Sequence, residues 1–212
     1  MMLRSAIIAA ALVAGISASQ AASETAIFAG GCFWCVESDM DEVKGVTSTT
    51  SGYAGGTKAD PTYRSHEGYT EAVRVEFDPA LISYAALTAH FLRTIDVVDG
   101  DGQFCDRGPS YISALVPLNA KQKREAEQAI ADAEKALGQK LAVKVIGTPS
   151  FYDAENYHQN YYLGDARVLS RFGWIKQSQA YKYYREGCGR DARVKALWGK
   201  DAYSFPAGGG ES

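Results

Sequence analysis

Short strand-like and helix-like segments alternate along the chain between residues 25 and 162, and this alternation limits the possible folds more than any other feature. In chain order, we predict strand 25–29, helix 33–43, strands 46–53 and 70–77, helix 83–94, strand 111–116, helix 119–137, strand 141–146 and a helix from about 153 past 162. Interleaving of this kind predicts an α+β fold, a two-layer sandwich with mixed strand directions. Beyond Gly164 the pattern fades, and we expect residues 164–212 to form a mobile, irregular tail with short helical pieces.

The composition excludes several classes of protein. The 212 residues include 22 Lys and Arg against 25 Asp and Glu, a formal charge of −3, which lacks the basic excess of a nucleic-acid binder. With 8 Phe, 13 Tyr and 3 Trp, the chain is too aromatic to be intrinsically disordered. We therefore expect one folded domain, a monomer that does not bind nucleic acid.

The first 21 residues have the pattern of a secretory signal peptide. Arg4 precedes an apolar run over 6–16, and Ser19 and Ala21 are the small residues expected before a cut after Ala21. The run is too short to span a bilayer, although an uncleaved anchor stays an alternative. We expect an exported, periplasmic protein with a catalytic domain over 22–163 and no stable membrane insertion.

The densest chemical signal is the run Gly30-Gly31-Cys32-Phe33-Trp34-Cys35. Cys32 follows a predicted strand and begins a predicted helix, whose unpaired N–H groups favour a thiolate and lower the pKa of a cysteine. The spacing of Cys32 and Cys35 also fits a thiol–disulfide oxidoreductase of thioredoxin type. A zinc site would need two further ligands, and Cys105 and Cys188 are 83 residues apart with no histidine near either, so we expect no metal.

Several motifs, in order, resemble the peptide methionine sulfoxide reductases of the A type. They are GCFW at 31–34, SGYAGG at 51–56, PTY at 61–63, EAVRVEFDP at 71–79 and FYDAENYHQNYY at 151–162. The resemblance covers roughly residues 25–162 and implies an α/β plait with a ferredoxin-like core. The activity that it implies is reduction of the S-epimer of methionine sulfoxide, free or in proteins, to methionine.

The resemblance also implies a role for particular residues. Cys32 would be the nucleophile and Glu71 the acid, while the substrate would be bound by Phe33, Trp34, Tyr63, Asp106 and Tyr111. The strand pattern supports the assignment of Glu71, since alternation puts it on the apolar side with Val73 and Val75. A carboxylate on an apolar face has a raised pKa, as a proton donor requires. His158 lies in one of the motifs and is expected to line the site.

The chemistry needs a second thiol. A thiolate attacks the sulfoxide sulfur while the oxygen takes up a proton, which leaves a sulfenic acid that another cysteine converts to a disulfide. We favour Cys188, between glycines in the tail, as this resolving cysteine. Cys35 could instead resolve directly or accept the disulfide in a second step. A Cys32–Cys35 bond requires the helix to start at or after Cys32. Cys105 is a bystander near the site or a structural thiol. A thioredoxin-like dithiol would recycle the enzyme, with no bound cofactor.

Overall fold

A computed structural model describes residues 22–147 and 150–205, and it confirms the predicted interleaving of strands and helices. The signal peptide predicted for residues 1–21 lies outside the described residues. None of the helices in these two ranges is long and apolar enough to cross a membrane. In chain order, the elements are β1 (Glu24–Gly30), α1 (Phe33–Asp41), β2 (Val46–Gly55), β3 (Tyr69–Phe77), α2 (Tyr84–Leu92), β4 (Gly102–Gln103), β5 (Asp106–Arg107), β6 (Ser113–Leu115), α3 (Ala120–Leu137), β7 (Lys144–Val145), β8 (Phe151–Asp153), β9 (Arg167–Ser170), β10 (Gly173–Lys176), α4 (Gln177–Gly187) and α5 (Arg190–Trp198).

Six strands form a mixed central sheet in the order β7-β6-β1-β3-β2-β8. β1 lies between β3 and β6 and is antiparallel to both, β2 is antiparallel to β3 and β8, and only the β6–β7 pair is parallel. The mixed strand directions predicted from the sequence are therefore confirmed. The remaining strands pair in two small ladders, β4 with β5 and β9 with β10.

Helices α1, α2, α3 and α5 pack in one layer against one face of this sheet. Their shared core contains Phe28 of β1 and Val73, Val75 and Phe77 of β3, all fully buried. Burial of each such side chain stabilises the fold by about 1.5–3 kcal/mol. Glu71 lies on this same face of β3, as the alternation predicts, because its carboxylate meets the backbone of Phe33 in α1.

The predicted start and end of α3 are confirmed. The Asn119 side chain accepts a hydrogen bond from the Gln122 N–H at 2.9 Å, and Gly138 ends the helix in the left-handed conformation, at φ +66°. Ala126, Ala129 and Ala133 form its buried stripe, so the small side chains let α3 approach the core closely.

The irregular tail predicted for 164–212 is wrong for the described part of that segment. β9 and β10 form a hairpin, and α4 and α5 are regular helices of 11 and 9 residues. The buried face of α4 combines Ala180 and Tyr181 with Gln177, and that of α5 combines Val194 and Trp198 with a fully buried Arg190. These faces contain too many polar side chains to be recognised by hydrophobicity alone.

The continuous helix predicted from about residue 153 past 162 is also wrong. Two short 3₁₀ turns, Asn156–His158 and Tyr161–Leu163, take its place, and Asn160 between them has φ +52°. The Gln159 side chain hydrogen-bonds both backbone groups of Ser51 in β2 and the Ala154 carbonyl, each at 2.9 Å. These bonds attach the segment to the sheet edge in a conformation that a helix cannot adopt.

Candidate active site

Cys32 lies at the junction between β1 and α1, as its N-cap residue. Gly31 has φ +80°, and a side chain there would come within 2.5 Å of the Gln103 Cβ atom, so only glycine fits this tight turn. The helix begins at Phe33, and the Val36 N–H donates to the Cys32 carbonyl at 3.3 Å. The turn leaves the Cys32 thiol mostly covered, with 6 % of the residue exposed.

Glu71 reaches the start of the same helix from β3. Its Oε2 atom accepts a hydrogen bond from the Phe33 N–H at 3.0 Å, and the residue is 2 % exposed. Burial raises the pKa of Glu71 to about 8, with nearby Asp106 and Cys35 adding to the rise and the Phe33 N–H opposing it. At neutral pH this carboxyl group is therefore protonated and can give up a proton, as a general acid must.

Every nucleophile, acid and substrate-binding residue predicted from the sequence lies on one cleft. Tyr63 is at its edge, 37 % exposed, and its N–H donates to Glu155 Oε1 at 3.0 Å. Burial raises the pKa of Tyr63 and Tyr111 above that of a free tyrosine, so both hydroxyls remain hydrogen-bond donors. The lining residues are Cys32, Phe33, Trp34, Tyr63, Glu71, Asp106, Tyr111 and Tyr184.

Aromatic rings form the wall beside Cys32. Trp34 stacks on Tyr161 with 3.8 Å between ring centroids and donates from Nε1 to His158 Nδ1 at 3.1 Å. The Phe33 ring lies 5.0 Å from the His158 ring and 6.3 Å from Tyr63. Burial lowers the pKa of His158 to about 4, so this histidine is neutral. Its Nδ1 atom accepts the hydrogen bond from the indole and thereby holds the Trp34 ring in place.

The two thiols of the C-x-x-C pair are free and adjacent. Cys32 hydrogen-bonds Cys35, which is 2 % exposed. The low pKa predicted for Cys32 is wrong, since burial, the hydrogen bond with Cys35 and the nearby Glu71 and Asp106 all raise the pKa of Cys32. The bond from Cys32 and the guanidinium groups of Arg190 and Arg185 lower the pKa of Cys35 instead.

A buried ionic group lies beneath Cys35. Asp39 pairs with Arg185 Nη1 at 2.8 Å and with Arg190 Nε at 3.5 Å, and Arg190 also donates to the Gly30 carbonyl at 3.3 Å. These arginines belong to α4 and α5, the helices that the sequence analysis missed. The arginines of α4 and α5 therefore place positive charge near the Cys35 thiol.

The other two cysteines, Cys105 and Cys188, form a disulfide with 5.2 Å between their Cα atoms. Cys188, the favoured resolving cysteine, is thus bonded away from Cys32, whereas Cys35 is beside it. Tyr184, one turn before Cys188, lines the cleft and was missed by the sequence analysis. The spacing of Ala180, Tyr181, Tyr184 and Cys188 is that of one helix face and could have indicated it. Over residues 22–147 and 150–205, no three His, Cys, Asp or Glu side chains group as metal ligands.

Comparison with known proteins gives one consistent family. The family model described as peptide methionine sulfoxide reductase matches residues 24–196. The chain is 47 % identical to peptide methionine sulfoxide reductase MsrA 2 of Rhizobium meliloti over 191 residues, which covers 89 % of this chain and 90 % of that protein. It is 43 % identical to MsrA 2 of Caulobacter vibrioides over 182 residues, 84 % of this chain and 86 % of that one.

Solved structures agree with the sequence relatives. Methionine sulfoxide reductase A of Corynebacterium diphtheriae superposes with a TM-score of 0.63 at 27 % identity, covering 68 % of this chain and 75 % of that one. Reduced Mxr1 from Saccharomyces cerevisiae has a TM-score of 0.61 at 28 % identity, covering 66 % and 83 %. The mixed α/β fold therefore matches the solved structures of methionine sulfoxide reductase A and Mxr1.

Proposed function

Because the chain belongs to the peptide methionine sulfoxide reductase family, and so is an oxidoreductase that reduces methionine sulfoxide, we propose that the cleft around Cys32 performs this reaction on the S-epimer, free or in proteins. The observation that carries the proposal is the approach of Glu71, a buried carboxyl group with a raised pKa, to the start of α1 beside Cys32. Thiol and acid are the two groups that transfer of a sulfoxide oxygen requires.

In the first step, Cys32 attacks the sulfoxide sulfur and the oxygen moves to the Cys32 sulfur. Glu71 gives its proton to that oxygen and takes up the Cys32 thiol proton in return, so methionine leaves and Cys32 becomes a sulfenic acid. The hydroxyls of Tyr63 and Tyr111 hold the oxygen as negative charge develops on it. Phe33 and Trp34 provide an apolar wall for the substrate methyl group.

We propose that Cys35 resolves the sulfenic acid. The Cys35 thiol attacks the Cys32 sulfur, the two sulfurs form a disulfide, and water leaves with the former sulfoxide oxygen. Two observations support Cys35: its hydrogen bond with Cys32, and the start of α1 at Phe33, which leaves Cys32 outside the regular helix. A thioredoxin-like dithiol then reduces the Cys32–Cys35 disulfide by exchange.

A single turnover without reductant tests these roles. Native protein is mixed with one epimer of methionine sulfoxide at a time, and methionine formed and thiols lost are counted. We expect one methionine from the S-epimer, none from the R-epimer, and two thiols lost. In Cys35→Ser, methionine should still form while Cys32 remains a sulfenic acid that a nucleophilic trapping reagent labels. Formation of a disulfide by Cys32 in Cys35→Ser, with no sulfenic acid left for the reagent to trap, would contradict the role of Cys35. A thiol–disulfide oxidoreductase, the alternative, would form no methionine.

We also propose the finer features of fold and location. Strands β6-β1-β3-β2 with α1 and α2 have the order of a ferredoxin-like plait, in which two β-α-β units interlock. The pattern of residues 1–21 supports export to the periplasm with cleavage after Ala21. The mass of the protein recovered from the periplasm checks the cut, and its sedimentation checks the expected monomer. Full-length mass in a membrane fraction would support the anchor instead.

A further inference from the structure

We propose that Tyr184 is a positioning residue for substrate binding and that the Cys105–Cys188 disulfide is a clasp that holds it against Asp106 throughout turnover. The inference rests on the proposed function of the cleft around Cys32. It assigns a role to the two cysteines that the reaction at Cys32 and Cys35 leaves unused.

The first observation is the position of Tyr184 in the cleft. Its hydroxyl donates a hydrogen bond to Asp106 Oδ2, and its ring meets the Trp34 ring edge-on, with 6.3 Å between centroids and 82° between planes. Tyr184 thus contacts both the polar and the apolar side of the cleft that holds Cys32. Rotation of this side chain would move Asp106 and open the wall formed by Trp34.

The second observation is that each cysteine of the disulfide lies close in sequence to one partner of this hydrogen bond. Cys105 directly precedes Asp106, and Cys188 follows Tyr184 by one helical turn, with its N–H donating to the Tyr184 carbonyl at 2.9 Å. Asp106 belongs to β5, which pairs only over two residues with β4. A ladder this short fixes its position weakly, and the disulfide connects it to α4.

The third observation is that α4 is itself fastened to the catalytic helix. Arg185, next to Tyr184, pairs with buried Asp39 of α1, and Tyr181 packs in one cluster with Cys32 and Cys35. The clasp therefore connects the Asp106 ladder to the helix that carries the nucleophile. With the clasp closed, the substrate meets a cleft of fixed width, and Cys188 is not available to resolve Cys32.

The test is the single-turnover rate as a function of methionine S-sulfoxide concentration, without reductant, so that the disulfide stays closed. The variants are Tyr184→Phe, the double variant Cys105→Ser/Cys188→Ser, and the triple variant that combines them. Tyr183→Phe, an exposed neighbour on the same helix, is the matched control. Thiols are titrated before and after turnover, and thermal unfolding shows whether each variant is folded.

We expect the half-saturating concentration to rise about tenfold in Tyr184→Phe, the effect of losing one hydrogen bond to a charged group, with a similar rise in the double variant. The half-saturating concentration of the triple variant should not exceed the higher of the values for Tyr184→Phe and the double variant, since both changes disturb the same contact. Tyr183→Phe should bind as the native protein does. Native protein should show two titratable thiols before turnover and none after.

Three results would overturn the proposal. One is an unchanged half-saturating concentration in Tyr184→Phe. Another is additive effects in the triple variant, which would mean that the disulfide does not act through Tyr184. The third is a double variant that only unfolds at lower temperature while its substrate binding is normal, as a purely structural bridge predicts. Absence of methionine from the native protein would instead refute the proposed function, so the two failures are distinguishable.

Discussion

Replacement of Glu71 by glutamine tests the acid that the reaction requires. A glutamate with the ordinary pKa of 4.5 is about 0.3 % protonated at pH 7, whereas a pKa of about 8 leaves it about 90 % protonated. Burial beneath α1 therefore increases the amount of available acid by about 300-fold. Glutamine can still accept the hydrogen bond from the Phe33 N–H, so the substitution removes the proton and little else.

The expected result is a first step that is slower by about 10²–10⁴-fold at pH 7, the usual contribution of a general acid. The assay is the single-turnover rate of methionine formation in native protein and Glu71→Gln between pH 6 and 9. Above pH 8 the ratio of the two rates should fall about tenfold per unit, because only native Glu71 has a proton to lose. The ionisation of Cys32 is titrated separately in both proteins, because Glu71 is one of the groups that raise the pKa of Cys32.

The matched control is Glu76→Gln, on the same strand but partly exposed and hydrogen-bonded to Thr25. Its ratio to native protein should stay near one at every pH. A ratio near one for Glu71→Gln at pH 7, or a ratio unchanged between pH 7 and 9, would refute the assignment of Glu71 as the acid.

The same shift predicts a change in stability. The pKa of Glu71 is raised in the folded protein, so folding binds a proton that the unfolded chain releases, and stability falls as the pH rises from about 4.5 to 8. The loss amounts to at most about 5 kcal/mol above pH 8. Glu71→Gln should therefore be more stable than native protein at pH 9 in urea unfolding, with little difference at pH 4.

Further predictions concern the stability of the fold. Cys105→Ser/Cys188→Ser opens a loop of 83 residues and should lower the free energy of unfolding by about 2–5 kcal/mol in urea. Arg190→Met should lower the free energy of unfolding by about 3–5 kcal/mol, because it removes a fully buried partner of Asp39. It should also raise the pKa of the Cys35 thiol in a thiolate titration. Asn119→Ala should cost about 1 kcal/mol through loss of the α3 cap, with an unchanged single-turnover rate.

The parts that sequence predicts well depend on neighbours along the chain. The strand, double glycine and helix around Cys32 form a local unit, so its geometry follows from residues within one turn. Glu71 is similar, because strand alternation alone decides which face it occupies. The resemblance to a known family then assigns Tyr63, Asp106 and Tyr111 to the cleft, although each alone would be an ordinary surface, turn or core residue.

The parts that sequence predicts poorly depend on contacts between distant segments. Nothing near Cys188 indicates that its partner is Cys105, 83 residues earlier. A hydropathy pattern counts Arg190 as surface, yet its guanidinium is buried against Asp39 and the Phe104 ring. The order of the thiol pKa values also depends on tertiary structure, since burial outweighs the helix N-terminus at Cys32.

In the fold, the four cysteines lie in two groups that follow their order along the chain. Cys32 is beside Cys35, and Cys105 is bonded to Cys188, so no pair encloses a cysteine of the other. Four cysteines allow three connectivities, and this one arises when each thiol joins the next to emerge. When a chain is oxidised as it emerges from its N-terminus, this connectivity forms without reshuffling. We therefore expect the Cys105–Cys188 disulfide to form without a disulfide isomerase when the protein is synthesised in an oxidising translation extract.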